Sequence, residues 1–176
     1  AAGDIQYYVG GIHKDSGSGA VDMDPMAGTD IRYPANSYDA FVTKLTDENT
    51  YGWTRHWTGT GISNAYSITM DSNGDYYLAG QFTGTMDFDP GAGVDEETAS
   101  GSYDAFLMKF NADDSYAWTR TFGGSATVGY LATRVFGGYV YLIGRFDGTV
   151  DLDPSAGVLN ETALGGSDIF IVKMVR

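Results

Sequence analysis

One short acidic motif occurs three times at almost equal intervals along this chain of 176 residues. Each copy reads Asp-x-Asp-Pro-x-Ala-Gly, and the copies begin at Asp22, Asp87 and Asp151, which are 65 and 64 residues apart. A fixed period of this length is the sequence signature of a repeat architecture, in which each repeat forms one supersecondary unit. The period therefore predicts a repeated structural unit, and any function of the motif is used more than once.

Three further patterns recur in register with the acidic motif. They are Asp-x-Phe-x-x-Lys at residues 39–44, 104–109 and 168–173, Tyr-x-Trp-Thr-Arg at 51–55 and 116–120, and Tyr-Leu-x-Gly-x-Phe at 77–82 and 141–146, the last with a degenerate copy at 8–11. Because four patterns keep the same order and spacing, each period holds one complete copy of the structural unit.

Each period contains four predicted strands, which we name A to D. Strand A is predicted at 66–71 and 130–135, B at 76–82 and 139–146, C at 39–45, 104–110 and 168–174, and D at 51–57 and 116–122. The Asn-Gly pair between A and B is a strong hairpin signal, and the polar segment 46–50 predicts a similar turn between C and D. The unit is therefore predicted to be an antiparallel meander.

Strand C is apolar on both faces. Phe106, Met108 and Phe110 point to one side, and Ala105 and Leu107 point to the other. The last copy repeats this with Phe170 and Val172 on one side and Ile169 and Ile171 on the other. A strand buried on both faces belongs to a sheet that lies between two other sheets, as in the blades of a β-propeller.

These motifs resemble the bacterial β-propeller repeat family, often called seven-bladed propeller or SBBP repeats. The residues that carry the resemblance are Asp-Ala-Phe-x-x-Lys, Trp-Thr-Arg, Asp-Ser-Asn-Gly-Asp-Tyr-Tyr-Leu-Ala-Gly and Asp-Phe-Asp-Pro-Gly, and together they cover nearly the whole chain. The resemblance implies a large secreted or cell-surface protein of bacteria, and it implies no catalytic activity.

The predicted fold is all-β, with one complete blade flanked by two partial blades. Residues 1–60 hold strands B, C and D with an insertion at 13–19, residues 61–124 hold all four strands, and residues 125–176 hold A, B and C. Three blades do not close a ring, and their open faces leave apolar surface exposed to water. We therefore expect association, either with the remaining blades of a longer chain or with copies of itself as a ring or filament.

Composition narrows the function classes. The net charge of −13 argues against binding to nucleic acid or to an anionic membrane surface, and no apolar stretch is long enough to span a bilayer. Cysteine is absent, which excludes a disulfide framework and a thiolate metal site. The sequence does not begin with Met, so we expect a mature form or a fragment.

The acidic motif is a candidate calcium site. Alternate residues of an extended segment point the same way, so paired carboxylates and the carbonyls of a Gly-rich turn would suit a hard cation. The predicted ligands are Asp22, Asp24, Asp87, Asp89, Asp151 and Asp153, with further oxygens from Asp30, Asp95, Glu96 or Asn160. The alternative is a purely structural turn in which the aspartates accept hydrogen bonds from nearby backbone N–H groups.

For the other recurring polar residues we expect structural roles rather than ligand binding. Asp39, Asp104 and Asp168 begin strand C and are expected to cap a turn, and the lysines five residues later lie on the opposite face. Arg55 and Arg120 are expected to pair or stack structurally rather than bind a ligand. The repeated aromatic residues are expected in the packed core, with a carbohydrate-binding platform as the alternative; they are Trp53, Trp118, Tyr51, Tyr116, Tyr76 and Tyr77.

Catalysis is not expected. The two histidines, His13 and His56, do not recur between copies, and the chain has no nucleophile elbow, phosphate loop or His-rich metal motif. The sequence predicts a non-enzymatic scaffold that binds calcium and self-associates, and the resemblance to the SBBP repeats implies an extracellular setting for it. A propeller module that binds a glycan or protein is the alternative.

Overall fold

The computed structural model describes residues 7–14, 20–46, 50–125 and 127–176, with only the backbone described for 7–14. Every regular element in this part of the chain is a β-strand, which confirms the all-β fold class. The strands are Tyr7–Lys14 (β1), Val21–Asp22 (β2), Ile31–Arg32 (β3), Tyr38–Leu45 (β4), Tyr51–Trp57 (β5), Ser63–Met70 (β6), Tyr76–Phe82 (β7), Thr85–Asp87 (β8), Glu96–Thr98 (β9), Asp104–Phe110 (β10), Tyr116–Gly124 (β11), Val128–Phe136 (β12), Tyr139–Phe146 (β13), Thr149–Asp151 (β14), Asn160–Thr162 (β15) and Asp168–Val175 (β16).

The strands form three main antiparallel sheets. The first sheet has the order β1-β4-β5, the middle sheet contains β6-β7-β10-β11, and the last sheet has the order β12-β13-β16. These are the predicted orders B-C-D, A-B-C-D and A-B-C, so the meander prediction is confirmed. Residues 15–19, most of the predicted insertion, lie outside the described part of the chain.

The Asn-Gly turn between β6 and β7 has the geometry that its sequence predicts. The backbone N–H of Asp71 donates to the carbonyl of Asp75, and the Asp71 carboxylate accepts the N–H groups of Asn73 and Asp75. Gly74 has a φ of 90°, a left-handed conformation that glycine adopts without steric cost. The turn therefore fixes the register in which Met70 pairs with Tyr76.

The three sheets pack face to face, and the middle sheet is buried on both sides. We call the face that holds Ala105 and Leu107 its front face and the face that holds Phe106, Met108 and Phe110 its back face. The back face packs on Ala40, Val42 and Trp57 of the first sheet, and the front face packs on Val140, Leu142 and Phe170 of the last sheet. At about 1.5–3 kcal/mol for each fully buried large apolar side chain, these junctions dominate the favourable energy of the stack.

A recurring glycine explains how strand C packs against strand B. Gly80 of β7 is paired with Phe106 of β10, and a Cβ atom at this glycine would overlap the Phe106 ring and the carbonyl of Asn64. Gly144 of β13 has the same relation to Phe170. The glycine in the Tyr-Leu-x-Gly pattern therefore leaves room, by having no side chain, for the aromatic ring of the neighbouring strand.

The B–C connections contain short hairpins that the sequence reading did not predict. They are β2–β3, β8–β9 and β14–β15, and each encloses one acidic motif. The third hairpin also pairs with β11, through Gly123 with Asp151 and Gly124 with Val150, so it extends the middle sheet. Gly59 and Met86 make the equivalent bridge between the first and middle sheets. The second and third hairpins are thus each bonded to the chain at the end of strand D of the preceding unit.

The close contact between glycine and phenylalanine yields a stability prediction. Replacing Gly80 by Ala is expected to destabilise the fold by about 1–3 kcal/mol, because the added methyl group overpacks a junction with no free volume. Gly166→Ala is the control, since a Cβ there meets nothing within 4 Å. Urea denaturation measures both. Equal midpoints for the two variants would contradict the described packing.

Candidate functional site

The first aspartate of each acidic motif closes the hairpin that contains it. In the middle copy, Asp87 Oδ1 accepts the backbone N–H of Asp89 at 3.1 Å and that of Asp95 at 2.9 Å. Asp22 and Asp151 make the same two bonds, to the residues two and eight positions later. One carboxylate oxygen therefore accepts hydrogen bonds from both ends of the loop and holds them together.

The second aspartate forms the turn inside the loop. Asp89 Oδ1 accepts the N–H of Gly91 at 2.7 Å, and Asp24 and Asp153 repeat this bond. The other oxygen of Asp89 lies against Gly93, where a Cβ atom would overlap it. The glycine that ends the motif is thus required by the carboxylate that it contacts, and the same holds for Gly28 and Gly157.

The residue between the two aspartates anchors the turn in the core. Phe88 is fully buried, and its ring packs edge-on against Phe82 at a centroid distance of 5.1 Å. Its carbonyl accepts a 3.0 Å hydrogen bond from the indole Nε1 of Trp57, which belongs to the first sheet. The motif therefore contributes to the contact between neighbouring units as well as to its own hairpin.

Two of the less certain calcium ligands have other partners. Asp30 and Asp95 accept hydrogen bonds from the phenols of Tyr51 and Tyr116, which lie on strand D of the same units. Burial alone would raise the pKa of Asp30, but hydrogen bonds from Tyr51 and Arg32 outweigh it and hold the pKa below its ordinary value. The third unit has Leu159 at this position, so the tyrosine contact is not repeated there.

The remaining less certain ligands, Glu96 and Asn160, begin the second strand of their hairpins. Glu96 pairs with Asp87, and Asn160 pairs with Asp151. Within the described residues, no group of three or more His, Asp or Glu side chains is gathered closely enough to hold a metal ion. Calcium binding by Asp22, Asp24, Asp87, Asp89, Asp151 and Asp153 stays a prediction.

One polar cleft brings the third acidic motif close to the middle sheet. It has a volume of about 360 Å³ and is lined by Asp151 and Asp153 on one side and by Glu97, Asp104 and Arg120 on the other. Burial and the nearby carboxylate of Asp95 raise the pKa of Glu97, while Arg120 opposes this shift. Carboxylates from two neighbouring units therefore line the same solvent-filled cleft.

The aspartate that begins strand C is a capping residue. Asp39, Asp104 and Asp168 each accept the N–H of the residue four positions earlier, at 2.7–2.8 Å. Asp104 also accepts the Ser100 hydroxyl, and its carboxylate occupies the space beside Gly123. The structural reading of these aspartates is therefore confirmed.

The recurring lysines and arginines join neighbouring parts of the stack. Lys44 of the first sheet forms a 2.6 Å ion pair with Asp114 of the middle sheet, and Lys109 pairs with Asp75 at 2.8 Å. Arg55 lies 4.5 Å from the ring centroid of Trp53 and donates to the carbonyl of Asp114. Arg120 lies over Trp118. These contacts confirm the structural role expected of both arginines, and the partners described for Lys44 and Lys109 are aspartates in turns.

The repeated aromatic side chains belong to the junctions between sheets. Tyr76 and Tyr77 are fully buried on opposite faces of the middle sheet. Trp53, Trp118 and Tyr116 are partly buried and pack against the same two clusters. The expectation that they form the core is confirmed, and they do not form an exposed platform.

The front face of the last sheet is open to solvent. The prediction that its strand C is buried on both faces is wrong here, because Ile169 and Ile171 are 76% and 66% exposed while Phe170 on the other side is buried. The described residues include no further sheet on this side. Further large apolar residues on the face are exposed, namely Phe136, Tyr139, Ile143 and Val175. A contiguous apolar face of this size marks an interaction surface.

Basic side chains lie among these apolar residues. Register places Arg134, Tyr141 and Lys173 in one row across the sheet, and Arg145 pairs with Ile169 in another. Lys173 lies 3.8 Å from the ring centroid of Tyr139. The open face therefore combines apolar rows with three cations in a strongly acidic chain.

Comparisons with protein-family models, with curated proteins and with solved structures give no match for this chain. The resemblance to the SBBP repeats therefore stays a prediction. The described residues contain no helix long and apolar enough to cross a membrane.

The bond between Tyr116 and Asp95 gives a prediction in alkaline solution. Burial and the adjacent carboxylate raise the pKa of Tyr116, so the stability that this phenol contributes is complete below about pH 10 and is lost as pH rises further. Tyr116→Phe is expected to lower the free energy of unfolding by about 1–2 kcal/mol at pH 8. The difference from the parent chain should shrink between pH 10 and 11.5.

Chemical denaturation over this pH range measures the effect, with Tyr33→Phe as the control because Tyr33 is exposed. A difference that does not change with pH would contradict the role assigned to the phenol.

Proposed function

We propose that this chain is a non-enzymatic structural repeat protein of the bacterial cell exterior. Its sheets serve as propeller-like blades, and it self-associates through the open front face of the last sheet. The observation that supports self-association is that this face occupies the same position in its unit as the front faces of the first and middle sheets, which are buried inside the stack. The extracellular setting follows from the resemblance to SBBP repeats.

The open face repeats the geometry of the internal junctions. In the first sheet the front-face positions of strand C are Ala40 and Val42, and in the middle sheet they are Ala105 and Leu107; all four are buried by the next sheet along the chain. In the last sheet the same positions are Ile169 and Ile171. The open face is therefore the surface on which a further unit of this kind would continue the stack.

Side-chain size favours a second copy of this chain as the occupant. The side chains at the two front-face positions of strand C become larger from one sheet to the next: Ala and Val in the first, Ala and Leu in the middle, and Ile and Ile in the last. The side chains on the back face that packs against each of them become smaller in the same order. Met108 and Phe110 oppose the first of these faces and Val172 and Met174 oppose the second. The same back-face positions in the first sheet are Thr43, which is buried, and Leu45, which is partly exposed. They are the smallest pair, and Leu45 is the one that an incoming Ile169 or Ile171 would contact.

Charge supports the same pairing. Residues 125–176 hold four basic and five acidic residues, so this part of the chain is almost neutral, whereas residues 1–60 hold four basic and eight acidic residues. Lys173 is the counterpart of Lys44 and Lys109, which both form ion pairs with aspartates in the turns of the middle sheet. The more acidic first unit is therefore the electrostatically favoured partner for Lys173 and the other cations of the open face. The contact is therefore head to tail.

Paired variants test both the association and its direction. Ile171→Asp on the front face and Leu45→Asp on the back face are each expected to leave the chain monomeric in sedimentation velocity, while the parent chain associates as concentration rises. A mixture of the two variants is expected to form a heterodimer and nothing larger, because each retains the face that the other lacks. Val94→Asp, at an exposed apolar residue away from both faces, is the control.

A monomeric parent chain at all concentrations would overturn the proposal. Unchanged association of Leu45→Asp would show that the front face pairs with itself or with a different unit. Circular dichroism of each variant confirms that the fold is intact, so that loss of association is not mistaken for unfolding.

Calcium binding by the acidic motifs is the second part of the proposal. What supports it is the acidic lining of the cleft that contains Asp151, Asp153 and Glu97; these carboxylates share the cleft but are not gathered into a metal-binding group in the structure. In every copy the first aspartate uses Oδ1 for backbone bonds, and a cation would then bind at the remaining oxygens. The net charge of −13 adds a general preference for cations.

Millimolar Ca²⁺ is expected to raise the melting temperature and EDTA to lower it, because a cation that binds only the folded state stabilises it. Asp153→Asn keeps one oxygen for the Ser155 N–H bond but loses the charge, so it should reduce the calcium response more than it reduces stability without calcium. Differential scanning calorimetry measures both. A melting temperature that responds to neither Ca²⁺ nor EDTA would contradict calcium binding.

A further inference from the structure

A second cleft lies at the junction of the middle and last sheets, away from the acidic motifs. It has a volume of about 350 Å³, within the lower range of small-ligand sites. Three tyrosines line it together with polar side chains that both donate and accept hydrogen bonds; the residues are Tyr66, Tyr103, Tyr130, Gln81, Arg145 and Asp147. None of these residues has a part in the acidic motifs or in the packed core.

Irregularities in strand A place two of the tyrosines in the cleft. Tyr66 lies in the bulge of β6 between Ala65 and Ser67, and Tyr130 lies in the bulge of β12 between Gly129 and Ala132. A bulge turns a side chain away from the regular alternation of the strand, and bulges are over-represented next to functional sites. Both rings are therefore presented to solvent at the mouth of the cleft instead of entering a junction.

Tyr130 is held in a strained backbone conformation. Its φ is 54°, in the left-handed region that bulky side chains rarely adopt because it strains the backbone. The side chain gains little from packing in return, because it is 78% exposed. The Arg145 guanidinium lies 5.7 Å from the centre of its ring. Because the strained backbone is not compensated by burial of the side chain, we infer that the orientation of the Tyr130 ring serves a function other than stability.

Backbone contacts hold the walls of the cleft in place. The N–H of Val128 donates to the carbonyl of Tyr103 at 2.9 Å, and the N–H of Thr127 donates to Asp147 Oδ1 at 2.9 Å. Gln81 approaches the backbone of Gly129 so closely that a Cβ there would lie 2.6 Å from its side-chain oxygen. The cleft is therefore formed before any ligand binds, which reduces the entropy cost of binding.

The chemistry of the lining points to a saccharide. Exposed tyrosine rings offer flat apolar surfaces for the C–H face of a pyranose, and Gln81, Arg145 and Asp147 offer donors and acceptors for its hydroxyl groups. The single cation of the lining is balanced by one carboxylate, and the chain carries a net charge of −13, so an anionic ligand such as a phosphate or a uronate is disfavoured. We propose that this cleft binds a neutral oligosaccharide, with a sugar ring stacked on Tyr130 and its hydroxyl groups bound by Gln81, Arg145 and Asp147.

Isothermal titration calorimetry with defined tetrasaccharides tests the proposal. The probes are cellotetraose, laminaritetraose, mannotetraose and chitotetraose as neutral chains, and tetragalacturonate as an anionic one. At least one neutral probe is expected to bind, and binding should be stronger than that of tetragalacturonate. Failure of all four neutral probes, or tighter binding of the anionic one, overturns the proposal.

Tyr130→Gly separates the binding role from folding. Glycine accepts the φ of 54° without strain, so the melting temperature is expected to stay the same or rise, while affinity for the neutral probe falls about tenfold or more because the stacking surface is lost. Tyr33→Gly removes an exposed tyrosine elsewhere and is expected to leave affinity unchanged. Equal affinities of the Tyr130→Gly variant and the parent chain would overturn the assignment.

Discussion

The structure depends on a sheet that is apolar on both faces and must therefore be covered on both sides. In β10, Phe106 fills the space that Gly80 leaves on the neighbouring strand, and Leu107 packs on the opposite sheet. A single sheet with this pattern cannot be stable in water, so units of this type fold only in stacks. The stack in turn explains why the outermost front face, with Ile169 and Ile171, is the natural place for another unit.

The acidic motif has a defined structural role in this arrangement. Asp87 closes its hairpin, Asp89 forms the inner turn, and Phe88 enters the core, where its carbonyl accepts the Trp57 indole of the preceding unit. Apolar packing and hydrogen bonds thus both stabilise the junction between neighbouring units. The polar part fixes the position of each unit, and the apolar part supplies most of the energy.

Much of the fold was predictable from sequence because its signals are local. The Asn-Gly turn, the apolar residues on both faces of strand C and the repeat period are all visible over short stretches of sequence. They were enough to predict the strands and their order. The hairpins around the acidic motifs were missed, although the Gly-Thr-x-Asp that opens the second and third of them was a signal. The pairing of β14 with β11 and the Tyr130 cleft depend on how separate units meet, and one-dimensional spacing does not contain that information.

Native-state hydrogen exchange at low and high protein concentration tests the central claim most directly. Amides of β7 and β10 are expected to be the most protected at every concentration, because both faces of their sheet are covered. Amides of β13 and β16 are expected to exchange faster in dilute solution and to gain protection as concentration rises and the open face is buried. Protection of β16 that equals that of β10 in dilute solution and does not change with concentration would contradict the account.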